Sequence, residues 1–139
     1  MRALFKEEAR ALLSAGRIGH LGCVDNGEPY VVPINYVFED GSVYSHSLPG
    51  RKIEVLRANP RACLQVDEIK NDLEWSSVIA FGNFEEIRVP SDRRSILSKL
   101  LARFPLLTPV ESLMAQDAGA PDSVVFRIRI DRLTGVAEG

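Results

Sequence analysis

The sequence predicts a mainly β fold with some α: an antiparallel barrel of about six strands with flanking helices. Three observations predict it. Apolar residues recur at period two through the middle and end of the chain, and only a few segments carry the helical period. Asp25-Asn26-Gly27 and Glu39-Asp40-Gly41 sit between such runs and have hairpin-turn chemistry, because Asn, Asp and Gly tolerate positive φ. The 139 residues, 45% hydrophobic and 26% charged, suit a single domain over 1–139 with one core. Closure of the sheet would remove exposed edges.

The elements follow in order. Residues 3–15 read as a helix with Phe5, Ala9, Leu12 and Leu13 inward, and Gly16 is placed to end it as a left-handed cap. Strands are expected at 18–24, 30–38 and 43–46, joined by the two turns into a meander. A short helix spans 51–58, and Asn59-Pro60 stops it because the residue before Pro disfavours the helical region. Strands follow at 62–67 and 76–87. A helix opens at Ser91-Asp92, turns Ile96, Leu97, Leu100 and Leu101 inward, and ends before Pro105. One or two helical turns are expected at 109–116. A last strand covers 123–130, with Val124, Phe126, Ile128 and Ile130 alternating against Ser123, Val125, Arg127 and Arg129.

Bulk properties exclude several function classes. A net charge of −2 argues against a general nucleic-acid binder, which needs a broad basic surface. No apolar run approaches the roughly 20 residues that span a bilayer, so no membrane association is expected. The early acids of Met-Arg-Ala-Leu-Phe-Lys-Glu-Glu argue against a secretory signal and for a cytoplasmic location. Cys23 and Cys63 form no CxxC, and with two histidines they make a poor zinc set, so no metal site is expected. Both cysteines read as small buried residues in a reducing compartment.

One segment stands out: Tyr44-Ser45-His46-Ser47-Leu48-Pro49-Gly50-Arg51-Lys52. A strand ends in two serines and a histidine, a Pro-Gly turn follows, and a helix begins with two cations. The positive end of a helix repels Arg and Lys. A bound anion would resolve the conflict by accepting the free N–H groups and neutralising both side chains. A solvated basic pair on a surface helix is the alternative. Upstream, Pro33 removes one ladder donor from an apolar strand, which places that strand at an edge, bulge or opening. Asn35 in the same run needs hydrogen-bond partners. Trp75, the sole tryptophan, reads as core, interface or ligand contact.

Taken together, these motifs resemble a known family. They are Gly19-His20-Leu21, Gly27-Glu28-Pro29-Tyr30-Val31-Val32-Pro33-Ile34-Asn35-Tyr36, Tyr44 to Ser47, Gly50-Arg51-Lys52, Asn59-Pro60-Arg61, and Trp75-Ser76-Ser77-Val78 followed by Gly82. Their order and spacing over residues 15–88 are similar to the flavin-binding split β-barrels of the pyridoxamine 5′-phosphate oxidase-like superfamily, and within it to the nitroimidazole-resistance (Nim) branch. The resemblance implies FMN bound at the interface of a homodimer. It implies that Val32, Pro33, Ile34 and Asn35 lie along the isoalloxazine ring, largely through backbone. It puts Ser45, His46 and Ser47 by the ribityl chain and phosphate, Arg51 and Lys52 on the phosphate, and Trp75 and Ser76 in the partner subunit's site.

His46 is then the candidate catalytic acid near flavin and a small-molecule substrate; His20 reads as structural. The ending Ile130 to Gly139 lacks the aromatic residue of the family's pyridoxamine-phosphate-binding motif, which argues against that substrate. The implied activity is FMN-dependent oxidoreduction of a small organic molecule. The alternatives are a carrier or sensor of flavin or haem on the same fold, and use of a deazaflavin.

Overall fold

A computed structural model describes residues 1–105 and 124–139; the helical turns expected at 109–116 lie outside the described residues. The elements are β1 (Arg2–Ala3), α1 (Lys6–Ala15), β2 (Ile18–Asp25), β3 (Glu28–Asn35), β4 (Val37–Glu39), β5 (Ser42–Ser47), α2 (Arg51–Ala58), β6 (Arg61–Asn71), β7 (Glu74–Glu86), α3 (Pro90–Arg103) and β8 (Val124–Glu138). All strand pairs are antiparallel, in the order β3-β2-β6-β7-β8-β5-β4, with β1 added to β8. β3 and β4 stand at opposite ends of this path, yet Tyr36 alone separates them in the chain. The sheet must therefore curl back on itself into a barrel, split along the seam between its two end strands. The Ser45 hydroxyl bridges the seam by donating to the Asn35 carbonyl at 2.7 Å.

The two expected hairpin turns are present. Asn26 and Gly27 have φ of 51° and 82°, and Asp40 and Gly41 have 50° and 76°, the pairing that type I′ turns require. The strands number eight rather than six because 30–38 divides into β3 and β4 and β1 joins β8, and β6, β7 and β8 differ in extent from expectation. The segment 30–38 breaks at Tyr36. β6 and β7 run on to a turn that needs no glycine, in which Asn71 Oδ1 accepts the Leu73 N–H at 2.9 Å. β8 continues to Glu138 past a bulge opposite Phe81 and Gly82; its far half has a polar outer face, which hid it among tail residues. Phe5 is exposed and extended, because the chain before α1 pairs with β8 through Leu4 N–H and the Gly135 carbonyl at 2.9 Å.

Gly16 is not a left-handed cap. Its φ of −63° suits any residue. It is glycine because a Cβ would lie 2.2 Å from Tyr36 Oη and 2.6 Å from Val66 Cγ1. Fully buried Tyr36 donates its hydroxyl to the Leu13 carbonyl at 2.5 Å. The Arg103 guanidinium reaches the Ala15 and Gly16 carbonyls at 3.0 and 2.6 Å, satisfying the end of α1. Arg17 in turn donates to the Arg103 carbonyl at 2.8 Å, so the ends of α1 and α3 cap each other.

The main core fills the barrel and includes Leu21, Ile34, Tyr36, Leu64, Val66, Val78, Phe126 and Ile128. A second cluster lies under α3: Val37, Ile96, Leu97, Leu100, Phe104 and Val125. It explains why Val125, on the expected outward face of the last strand, is buried. Among the described residues, no helix is long and apolar enough to cross a membrane. Cys23 is buried, Cys63 is only half-buried, and both are free thiols.

Candidate functional site

Beside the barrel seam lies a cleft of about 310 Å³, lined by Ile18, Pro33, Ile34, Asn35, Ser45, His46, Lys52, Leu100 and Phe104. Three elements build it. β3 is an end strand, so the backbone groups on its outer side have no ladder partner. Pro33 stands on that edge, as expected of a proline in an apolar strand. β5 supplies Ser45 and His46 from the other side of the seam. α2 supplies Lys52 from its first turn and is anchored by buried Ile53, Val55 and Leu56.

The start of α2 is bare. No side chain caps it, and Gly50 is extended. A Cβ at Gly50 would meet nothing closer than the Leu48 carbonyl oxygen at 3.9 Å, so the first N–H groups are open to approach. Half-buried Lys52 reaches the cleft. Arg51 turns aside: its guanidinium pairs with Asp25 at 2.6 Å and lies 5.3 Å from the Tyr30 ring centre. The charge conflict at the helix start is thus relieved from within at Arg51. Asp25 had read only as a turn residue.

Of the residues expected in the site, the cleft gathers Pro33, Ile34, Asn35, Ser45, His46 and Lys52. Val32 packs against the core. The Ser45 and Ser47 hydroxyls donate to backbone carbonyls of Asn35 and Leu48, both at 2.7 Å, so they present lone pairs rather than free protons. Trp75 and Ser76 lie elsewhere, beside Arg2, Glu68 and Glu138. Their strand, β7, is three strands from β3, about 14 Å across the sheet. His20 is on the outer face with Nδ1 3.1 Å from Gln65 Oε1; Gln65 Nε2 donates to Asp67 and Ser77, both at 2.9 Å. Ile18, Leu100 and Phe104 were missed as lining residues. Leu100 had been read as helix core, and its spacing of four from Phe104 was the available signal. Among the described residues, no group of three or more His, Cys, Asp or Glu side chains could hold a metal ion.

The Tyr36 hydroxyl, held under the end of α1 by the Leu13 carbonyl, is pushed up to about 12, chiefly by burial. It stays a neutral donor. The end of α1 is therefore fixed, while the charge that could respond to a ligand sits at the α2 end.

Comparison with known proteins places this geometry. The chain is 30% identical over 146 residues to an uncharacterized protein of Rhizobium meliloti (strain 1021), across 99% of this chain and 95% of that protein. A crystal structure of a FAD-binding protein from Mesorhizobium loti superposes with a TM-score of 0.83 at 34% identity, covering 99% of this chain and 98% of that one. A candidate 5-nitroimidazole antibiotic resistance protein of Bacteroides thetaiotaomicron shares the fold, with a TM-score of 0.77 at 23% identity over 96% of this chain and 85% of its own. The sequence pattern of the family described as pyridoxamine 5′-phosphate oxidase matches residues 6–137. Split barrel, bare helix start and matched sequence agree, and the chain belongs to the pyridoxamine 5′-phosphate oxidase family.

Proposed function

We propose that this protein is a homodimeric, FMN-dependent oxidoreductase acting on a small organic molecule. The observation that carries the reading is the cleft itself. It brings an unpaired strand edge, a bare helix start and Lys52 to one place, which suits a planar polar ring at one end and a phosphate at the other. The 34% identical relative described as FAD-binding supports a flavin. FMN and FAD share the ring, the ribityl chain and the first phosphate, so the cleft serves either. Asp25 favours FMN: its carboxylate stands beside Arg51, where a second phosphate would meet a like charge.

A bound flavin supplies hydride or electron transfer. Lys52 and the first N–H groups of α2 hold the phosphate, Arg51 adds its charge from the Asp25 side, and Leu100 and Phe104 exclude water along the wall. His46, half-buried in the cleft, is the imidazole placed to hold or give a proton there.

The outer sheet face supports the dimer. In register it carries Ile18, Val24, Val31, Ile69 and Val136, all exposed, with Phe81, Ile79 and Trp75 half-buried among them. The same face carries His20, Gln65, Asp67, Ser77 and Arg132, and exposed apolar side chains set among polar ones fit an interface between copies. Trp75 lies outside its own chain's cleft, so in this reading it serves the partner's cleft. Two free thiols fit a cytoplasmic setting.

The absorption spectrum of the purified protein tests the cofactor. Two flavin bands are expected, and heat should release a nucleotide with the mass of FMN. A single intense Soret band would overturn the reading; a released mass of FAD would replace FMN. Steady NAD(P)H consumption with a nitro compound is the expected sign of turnover, and its absence with all small acceptors would leave a flavin carrier in its place.

A further inference from the structure

We propose that the mouth of the barrel beneath α1 is a second binding site, for an amphipathic anion with an apolar tail and a carboxylate or sulfonate head. A cavity of about 590 Å³ opens there between α1, β4 and the far half of β8. It shares no lining residue with the cleft. Its volume is that of a small-molecule pocket, and barrel mouths are a usual place for one.

The floor is apolar and unfinished. Leu4, Phe38, Ile130 and Leu133 pack against the main core, yet each remains half-buried because it faces this cavity. The rim is cationic. Lys6 and Arg10 stand one helical turn apart on α1, and among the described residues neither has an ion-pair or hydrogen-bond partner. The one lining carboxylate, Asp131, is already held by Arg61 through two bonds of 2.6 and 3.1 Å. Arg132 is turned to the outer face, 4.0 Å from the Phe81 ring centre. What the cavity offers is thus an apolar floor and two uncommitted cations. A neutral ligand would leave the cations unused, and a small inorganic anion would leave the floor wet.

Isothermal titration of the purified, flavin-loaded protein with dodecanoate, and with dodecan-1-ol as neutral control, tests this. One saturable dodecanoate site per chain is expected, with the flavin spectrum unchanged. The double variant Lys6→Ala/Arg10→Ala should weaken dodecanoate at least tenfold and leave dodecan-1-ol unaffected. A Phe38→Trp variant should report the same binding by fluorescence, independently of the rim. Three results would overturn the site: no saturable binding, equal losses for acid and alcohol in the double variant, or dodecanoate binding only with release of the flavin.

Discussion

The two ends of the cleft are built on opposite principles. At the α1–α3 end, fully buried Tyr36 and part-buried Arg103 donate to the orphan carbonyls that end α1, and Gly16 is bare so that Tyr36 can approach. At the α2 end, Arg51 is exposed and rests on Asp25, over Tyr30, beside open N–H groups. The first end fixes the shape and has no room for change. The second holds charge that a ligand can recruit. Substitutions at the first should therefore act on stability, and those at the second on binding.

The sharpest test is Gly16→Ala. The new methyl lies 2.2 Å from Tyr36 Oη, so Tyr36 must leave the Leu13 carbonyl or the strands must shift. Overpacking plus a lost buried hydrogen bond should cost about 3–5 kcal/mol, read by urea denaturation. A cost below about 1 kcal/mol would show that the seam can relax.

Tyr36→Phe comes next, at about 2 kcal/mol near pH 7, since it leaves a buried carbonyl unpaired. It also carries a pH signature. The folded hydroxyl is raised from 10 to about 12. Its contribution is full below pH 10 and is lost as pH rises through 12, because only the unfolded chain ionises in that window. The native protein should lose roughly 3 kcal/mol from this group between pH 10 and 12, and the variant should lack that loss. Parallel alkaline profiles would refute the assignment.

At the other end, replacing Arg51 and Lys52 together by Ala should weaken FMN more than tenfold, with riboflavin little changed, because each charged hydrogen bond contributes about 1.5–3 kcal/mol. Equal losses would remove the phosphate from α2. Asp25→Asn is the finer probe. If Asp25 holds Arg51 back, the variant should bind FMN more tightly by a factor of about two to five, the range of an exposed ion pair. Weaker binding would make Asp25 a positioning residue instead.

The same contrast explains what could be read in the sequence. The α2 end was legible: Gly50-Arg51-Lys52 after Ser45-His46-Ser47 is a local pattern, and Pro33 signals an edge strand without any tertiary knowledge. The α1–α3 end was not. Gly16 offered the usual signal of a left-handed cap, and only Tyr36, twenty residues on, reveals close approach as its reason. Arg103 gave no signal, because the carbonyls it caps belong to another helix. Asp25 was hidden inside a strong turn signal, and the pairing of β8 beyond 130 was hidden by a polar outer face. Long-range partners, not propensities, fixed each of these.

The smallest effect expected lies far from both ends and calibrates the comparison. Glu8 accepts from the Arg2 guanidinium at 3.1 and 3.0 Å and from the Phe5 N–H at 3.0 Å, which lowers its carboxyl to about 2, the Arg2 bond being the largest cause. A depressed carboxyl contributes stability above its unfolded value, near 4.5, and loses it as pH falls through about 2. Glu8→Gln should therefore leave the midpoint nearly unchanged at pH 2, where the native carboxyl is itself about half protonated and most of its contribution is gone, and lower it slightly at pH 6. Because this group is exposed, the difference should shrink in high salt, whereas the alkaline loss assigned to buried Tyr36 should persist. If both respond equally to salt, Tyr36 is not sealed from solvent, and the rigid end of the cleft is no more fixed than the charged one.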